Sequence, residues 1–183
     1  MQVIPTEIPD VKILVPRQFK DHRGFFSEVY STKLLKDAGV RCDFVQDNHS
    51  LSVEKGVLRG LHYQVAPMAQ DKLIRVVRGA ILDVAVDVRR GSSTFGKHVT
   101  AMLSADNWRQ VFVPVGFAHG FVTLEPNTEV LYKVSTFYSP QHERGVRWND
   151  PALGINWGIG ESQAILSNRD TQHPLLAHAQ DLF

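Results

Sequence analysis

Through most of the chain, apolar positions alternate with polar ones or run together for a few residues between clusters of Gly, Pro, Asn and Asp. That is the rhythm of short β-strands and tight turns. Val11 to Val15 is an apolar run ending at Pro16, and a polar turn, Gln18 to Gly24, leads to a second strand at Phe25 to Tyr30. The period then breaks: STKLLKDAG, Ser31 to Gly39, carries a Ser/Thr cap, a leucine pair and a closing glycine, which predicts a short helix. Alternation returns from Phe44 to Val53 and sets Gln46, Asn48 and Ser50 on one face. Such a face is either a binding wall or a solvated exterior. KLIRVVRGAILDVAVDVR, Lys72 to Arg89, reads as two β-branched strands parted by Gly79 at a hairpin or corner. KHVTAMLS, RQVFVPVG, HGFVTLE and TEVLYKVSTFY follow, with turn signals such as Ala105-Asp106-Asn107 and Pro126-Asn127 between them. So many short strands predict an all-β sandwich or barrel. Beyond Tyr138 the pattern weakens into loops, with a late strand expected around Gly154 to Trp157. No linker, repeat or low-complexity stretch divides residues 1–183, which predicts a single domain.

Composition narrows the class. With 183 residues and a 43% hydrophobic share, the chain can bury a core without disulfides or metal staples. The net charge of +1 supplies no basic field, so duplex nucleic acid is not an expected partner. Cys42 is the single cysteine, which fits a reducing compartment, and the expected location is cytoplasmic. The N-terminal residues show no basic stretch followed by an apolar run, and no segment reaches the ~18 apolar residues of a membrane span, so neither secretion nor insertion is expected.

The candidate chemistry centres on GVLRGLHYQ, Gly56 to Gln64. A metal site on a strand would set a second imidazole two residues after His62, and that position is Gln64. His62 therefore reads as a proton carrier, since imidazole titrates near ~6.5 and serves readily as a general base. PVGFAHGF delivers His119 after a proline and glycine turn, while Tyr132 and Tyr138 share a strand face with Val130 and Val134. Lys72 lies on the face of Ile74 and Val76, where a buried ammonium needs an anion or a developing negative charge. Core packing or a snorkelling side chain accounts for each of these alone; together they point to a small-molecule pocket inside a barrel.

PxGxxH, filled by Pro114, Gly116 and His119, resembles the second cupin motif, but GLHYQ lacks the paired histidines of metal-binding cupins. RGxF (Arg23 to Phe26), QDNHS (Gln46 to Ser50), VLRGLHYQ, DKLIRV, PxGFAHGF, LYKVSTFY and SNRDTQHPLL, in that order, resemble the dTDP-4-dehydrorhamnose 3,5-epimerase family from Arg23 to about Leu176. The resemblance implies a cupin-type double-stranded β-helix (jelly roll) with a few short helices, working as a homodimer with neither metal nor organic cofactor. Its implied substrate is dTDP-4-dehydro-6-deoxy-D-glucose, whose C4 ketone acidifies the hydrogens at C3 and C5. Removing such a proton leaves an enolate, which calls for a base, a cation near the C4 oxygen and an acid on the other ring face.

By the same resemblance His62 is the base, Asp170 orients it, Lys72 stands by the enolate oxygen and Tyr132 reprotonates. Arg23 and Arg59 fit the diphosphate. Phe26, Glu28, Gln46 and Asn48 line the nucleotide region, Tyr138 stacks on thymine, His119 lies near the sugar and Glu143 near the nucleotide. Arg169 stands where the family commonly has lysine, which keeps the charge but changes the geometry. Strict alternation sets Arg59 and His62 on opposite strand faces, so their joint use predicts a bulge or kink at Gly60, or a diphosphate at the strand's end. The rival functions are a mono-epimerase acting at C3 or C5, a ketoisomerase shifting the ketone from C4 to C3, a non-catalytic nucleotide-sugar binding module and a metal-dependent cupin. His62 together with Tyr132 favours the double epimerisation.

Overall fold

The computed structural model describes residues 1–183. Its strands are β1 (Gln2–Ile4), β2 (Lys12–Val15), β3 (Phe19–Asp21), β4 (Gly24–Phe26), β5 (Gln46–Ser52), β6 (Leu58–Gln64), β7 (Lys72–Arg78), β8 (Ala80–Asp87), β9 (His98–Ser104), β10 (Gln110–Val113), β11 (Phe117–Thr123), β12 (Thr128–Val134) and β13 (Glu143–Gly145). One helix, α1 (Thr32–Asp37), follows β4, and single 3-10 turns occupy Glu161–Gln163, Asp170–Gln172 and Leu176–His178. A six-stranded sheet in the order β1-β2-β10-β7-β12-β5 faces a five-stranded one in the order β13-β6-β11-β8-β9. The paired strands are antiparallel, and the fold is the cupin jelly roll. The predicted break at Gly79 is a corner: with φ +76 it passes the chain from β7 in one sheet to β8 in the other.

Three apolar clusters hold the layers together. Between the sheets lie Ile74, Val76, Ile81, Val111, Phe117 and Val130. On the outer face of the five-stranded sheet, Val84, Val86, Leu58 and Leu61 are covered by Trp148, Trp157 and Leu176 of the C-terminal segment. Strand β8 is thus buried on both faces, which is why it reads as an apolar run with little alternation. The third cluster packs Leu35 of α1 against Leu14, Leu73 and Phe112. Ser31 caps that helix by accepting the Leu34 N–H at 3.5 Å, and Gly39 closes it with φ +79.

Several expected boundaries shift. The anticipated turn from Gln18 to Gly24 contains β3, and the strand at Phe25 to Tyr30 shrinks to Gly24–Phe26, because β3 and β4 pair only with each other in a small hairpin. No strand forms at Gly154 to Trp157. Trp157 lies in a loop, buried, with its indole N–H donating to the Trp148 carbonyl at 2.9 Å. The late strand is β13, which the polar run around Glu143 concealed. No helix is long and apolar enough to cross a membrane.

Candidate active site

The site begins with a defect in β6. His62 lies opposite His119 on β11 and Arg59 opposite Phe121, so Gly60 and Leu61 together face the single residue Gly120. This is the bulge that the positions of Arg59 and His62 required. Glycine is needed on both strands. Gly60 has φ +140 and a Cβ there would stand 2.5 Å from Gly120 Cα, while a Cβ on Gly120 would stand 2.8 Å from the Arg59 carbonyl oxygen. The extra residue lets Leu58, Leu61 and Tyr63 enter the core beneath the C-terminal segment while Arg59 and His62 both line the cavity between the sheets.

His62 Nε2 is 2.5 Å from Asp170 Oδ1. The 3-10 turn at Asp170–Gln172 supplies this carboxylate from the chain's end, and the Ser167 hydroxyl donates to its second oxygen at 2.8 Å. Burial raises the Asp170 carboxyl, but the imidazoles of His173 and His62 and the Ser167 hydroxyl outweigh it and hold the group below the usual carboxylate range. For His62, burial is the largest influence and pushes the imidazole down, against the opposing pull of Asp170. The ring is thus neutral at pH 7, and its nitrogen away from Asp170 is free to take a proton.

Lys72, at the start of β7, points inward with Ile74 as its period predicted, and its Nζ donates to the His62 carbonyl at 3.2 Å. Burial lowers its ammonium to about 8, against the attraction of Glu143 and Asp83. Tyr132 enters from β12, in the sheet opposite His62, and burial raises its phenol. His119 Nε2 lies 2.8 Å from Asp83 Oδ2, both residues being buried. Arg59, His62, Lys72, His119, Tyr132 and Asp170 line one lobe of about 300 Å³. An adjoining lobe of about 320 Å³ shares His62, Lys72 and Tyr132 and adds Gln46, Asn48, Tyr138 and Glu143. There the Gln46 amide donates to Asn48 Oδ1 at 2.8 Å and the Tyr138 hydroxyl donates to Glu143 Oε2 at 2.6 Å. Arg169 pairs with Glu143 and donates to the Tyr138 hydroxyl at 3.4 Å. Each lobe has the size of a small-molecule site.

Three expected residues are not brought here. Arg23, Phe26 and Glu28 lie outside both lobes, and Arg23 pairs with Asp21 on its own hairpin. Tyr138 reaches the cavity but not by sharing a strand face with Tyr132, since β12 ends at Val134 and Tyr138 belongs to the following loop. Conversely, Asp83, Ser50, Ser167 and His173 were missed. Asp83 carried a signal, a carboxylate on the inward face of β8 between Ile81 and Ala85. Ser50 shared the alternation of Gln46 and Asn48, and its hydroxyl is buried without a partner at the cavity wall. Ser167 and His173 follow from the loop path alone, which no periodicity encodes.

The ligand atoms of His62, Asp170 and His173 lie within 4.8 Å of one another, a grouping that could hold a metal ion. At 2.5 Å, however, His62 and Asp170 are hydrogen-bonded to each other, whereas two ligands about 2.0–2.2 Å from a tetrahedral ion stand well over 3 Å apart. The arrangement fits a shared proton better than a bridging ion.

The profile of the dTDP-4-dehydrorhamnose 3,5-epimerase family matches residues 5–178. The dTDP-4-dehydrorhamnose 3,5-epimerase of Shigella flexneri is 52% identical over 171 residues, spanning 93% of each chain. The crystal structure of dTDP-4-dehydrorhamnose 3,5-epimerase from Bacillus anthracis, with TDP and PPi bound, superposes with a TM-score of 0.92 at 53% identity, covering 95% of this chain and 98% of that one. That of dTDP-6-deoxy-D-glucose-3,5-epimerase from Legionella pneumophila, in complex with dTDP-4-keto-L-rhamnose, gives 0.93 at 44% identity, covering 98% and 94%. With the profile spanning nearly all of its length and relatives sharing half its residues, the chain belongs to the dTDP-4-dehydrorhamnose 3,5-epimerase family.

Proposed function

We propose that this chain epimerises dTDP-4-dehydro-6-deoxy-D-glucose at C3 and C5 to dTDP-4-dehydro-L-rhamnose. The observation that carries the reading is the entry of His62 and Tyr132 into one cavity from opposite sheets, with Lys72 beside His62. A sugar ring held between them offers one face to a base and the other to an acid, which is what inversion at carbon requires.

Neutral His62 removes the proton next to the C4 ketone and becomes an imidazolium paired with Asp170. Charge develops on the C4 oxygen, where the Lys72 ammonium stabilises it. The Tyr132 phenol, kept protonated by burial, then delivers a proton to the opposite face. Once His62 has released its proton to water and Tyr132 has regained one, repetition at the other carbon completes the double inversion, and His119, held by Asp83, borders the sugar. Arg59 serves the diphosphate, while Gln46, Asn48, Tyr138, Glu143 and Arg169 receive the nucleoside.

Arg23, Phe26 and Glu28 fit this scheme in a homodimer. Phe19, Phe25 and Phe26 of the β3–β4 hairpin are 47%, 59% and 67% exposed, which supports a hairpin that docks on a second copy and offers these residues to its pocket.

Proton NMR of the substrate incubated with the protein in heavy water tests the reaction. Deuterium at C3 and C5 with an L-rhamno product is expected. Exchange at one carbon would make the protein a mono-epimerase, deuterium at C4 with a 3-keto product would make it a ketoisomerase, and binding without exchange would leave a binding module.

A further inference from the structure

We propose that His173 is a positioning residue for the His62–Asp170 pair, a second donor that closes on Asp170 Oδ1 as His62 acquires its proton. The inference rests on the functional reading above. His173 is buried at 9% exposure, and its Nε2 is buried with no hydrogen-bond partner, which is rare for an imidazole nitrogen unless something moves to meet it. That nitrogen stands 3.7 Å from Asp170 Oδ1, the same oxygen that His62 contacts, and the two imidazoles meet edge to face with centroids 5.3 Å apart and planes at 73°.

The fold makes room for this ring on purpose-shaped ground. Gly145 is the β13 residue paired with His62, and a Cβ there would stand 2.4–2.5 Å from three atoms of the His173 ring. Behind it the chain is pinned, the Arg147 N–H donating to the Pro174 carbonyl at 2.8 Å and Arg147 Nε to the His173 carbonyl at 3.3 Å. The backbone that carries the ring is therefore held beside Asp170.

Asp170 explains the use. Its Oδ2 is fixed by the Ser167 hydroxyl, but Oδ1 has only His62 and a remaining lone pair that faces His173. With one close donor on that oxygen, the carboxylate plane is held less firmly than it would be with two. A second N–H lowers its basicity and fixes its plane, so the proton stays on His62 where the reaction put it. Hydrogen bonds around a base commonly stand long in the unliganded state and shorten in the reacting complex, and His173 has less than 1 Å to travel.

Two measurements decide it. In the wild-type protein, ¹⁵N–¹H spectra of the imidazoles are expected to show His173 protonated at Nε2, with its resonance moved by Asp170→Asn; an unprotonated Nε2 would overturn the proposal. In turnover of dTDP-4-dehydro-6-deoxy-D-glucose, His173→Phe is expected to lose about tenfold to a hundredfold in kcat with KM nearly unchanged, as when the group orienting a functional residue is removed. His173→Gln, which keeps a donor at the same reach, should recover most of it, and His173→Phe should add little to Asp170→Asn. Unchanged kcat in the Phe variant, a Gln variant equally slow, or a full loss on the Asn background would each refute the role. If the wild type has no turnover, the functional reading falls instead, and the spectra alone judge His173.

Discussion

Replacing Lys72 with methionine should make the protein more stable and nearly inactive. The ammonium is pushed from 10.5 down to about 8. At ~1.4 kcal/mol per pKa unit, holding that charge in the fold costs about 3 kcal/mol. The side chain is only partly buried, so pocket water screens some of this, and methionine forfeits the bond to the His62 carbonyl, about 1 kcal/mol. A net gain of about 1–2 kcal/mol remains, and in a domain of this size each kcal/mol raises Tm by roughly 2–4 °C. The pH dependence is distinctive. Below about 8 the lysine is charged in both the folded and unfolded chain, and the whole penalty is present. Between about 8 and 10.5 the folded protein releases the proton first, and the penalty fades as pH rises. Thermal melts followed by circular dichroism should therefore show the variant ahead at pH 7 and the gap closing towards pH 10. Turnover should fall by about 10²–10³, the scale of losing a preorganised partner for an oxyanion. A variant no more stable at pH 7, or a gap that ignores pH, would refute a desolvated Lys72.

His62→Asn should cut turnover by about 10²–10⁴ and deuterium exchange in proportion, whereas Tyr132→Phe should slow inversion more than exchange; equal losses of both in the phenylalanine variant would remove Tyr132 as the acid. The profile of kcat/KM against pH should be bell-shaped, falling on the acid side at a pH below that of free imidazole as His62 protonates and on the alkaline side near about 8 as Lys72 loses its charge. A flat alkaline limb would show that Lys72 carries no needed charge. Gly120→Ala should destabilise the fold by about 1–3 kcal/mol in denaturant titrations, because the neighbours a Cβ would meet include the Arg59 carbonyl oxygen and Gly60 Cα, backbone atoms that cannot step aside; no loss would mean that β6 and β11 can separate there.

Most of the sheet framework was legible in the sequence because β5 and β9 bury alternating residues, while β8, β10 and β11, buried on both faces, read as short apolar runs between turn signals. The same period set Gln46 and Asn48 on one face and Lys72 on the face of Ile74, and all three line the cavity. It failed where position depends on a loop. Tyr138 reaches the site from beyond the end of β12, and β13 exists only because β6 offers Glu143, Arg144 and Gly145 a partner. Asp170 was found through family resemblance; nothing local announces that a residue near the C-terminus will meet one from β6. The stretch from Gly154 to Trp157 misled for a related reason: Trp157 is buried, but as part of a cover over the five-stranded sheet, and burial without ladder partners looks like a strand to any pattern of hydrophobicity.

The extra residue in β6 amounts to a change of phase. Before Gly60 and after Leu61 the strand keeps the same beat, but the two halves are offset by one step, so both Arg59 and His62 fall on the same count. Were the strand to run straight through Gly60 and Leu61 with both residues kept, the halves would fall back into step and His62 would turn towards the tryptophans, leaving every reactive side chain in the chain and none of its chemistry. For such a strand the glycine contact that lets the bulge form matters as much to the site as the reactive residues it aligns.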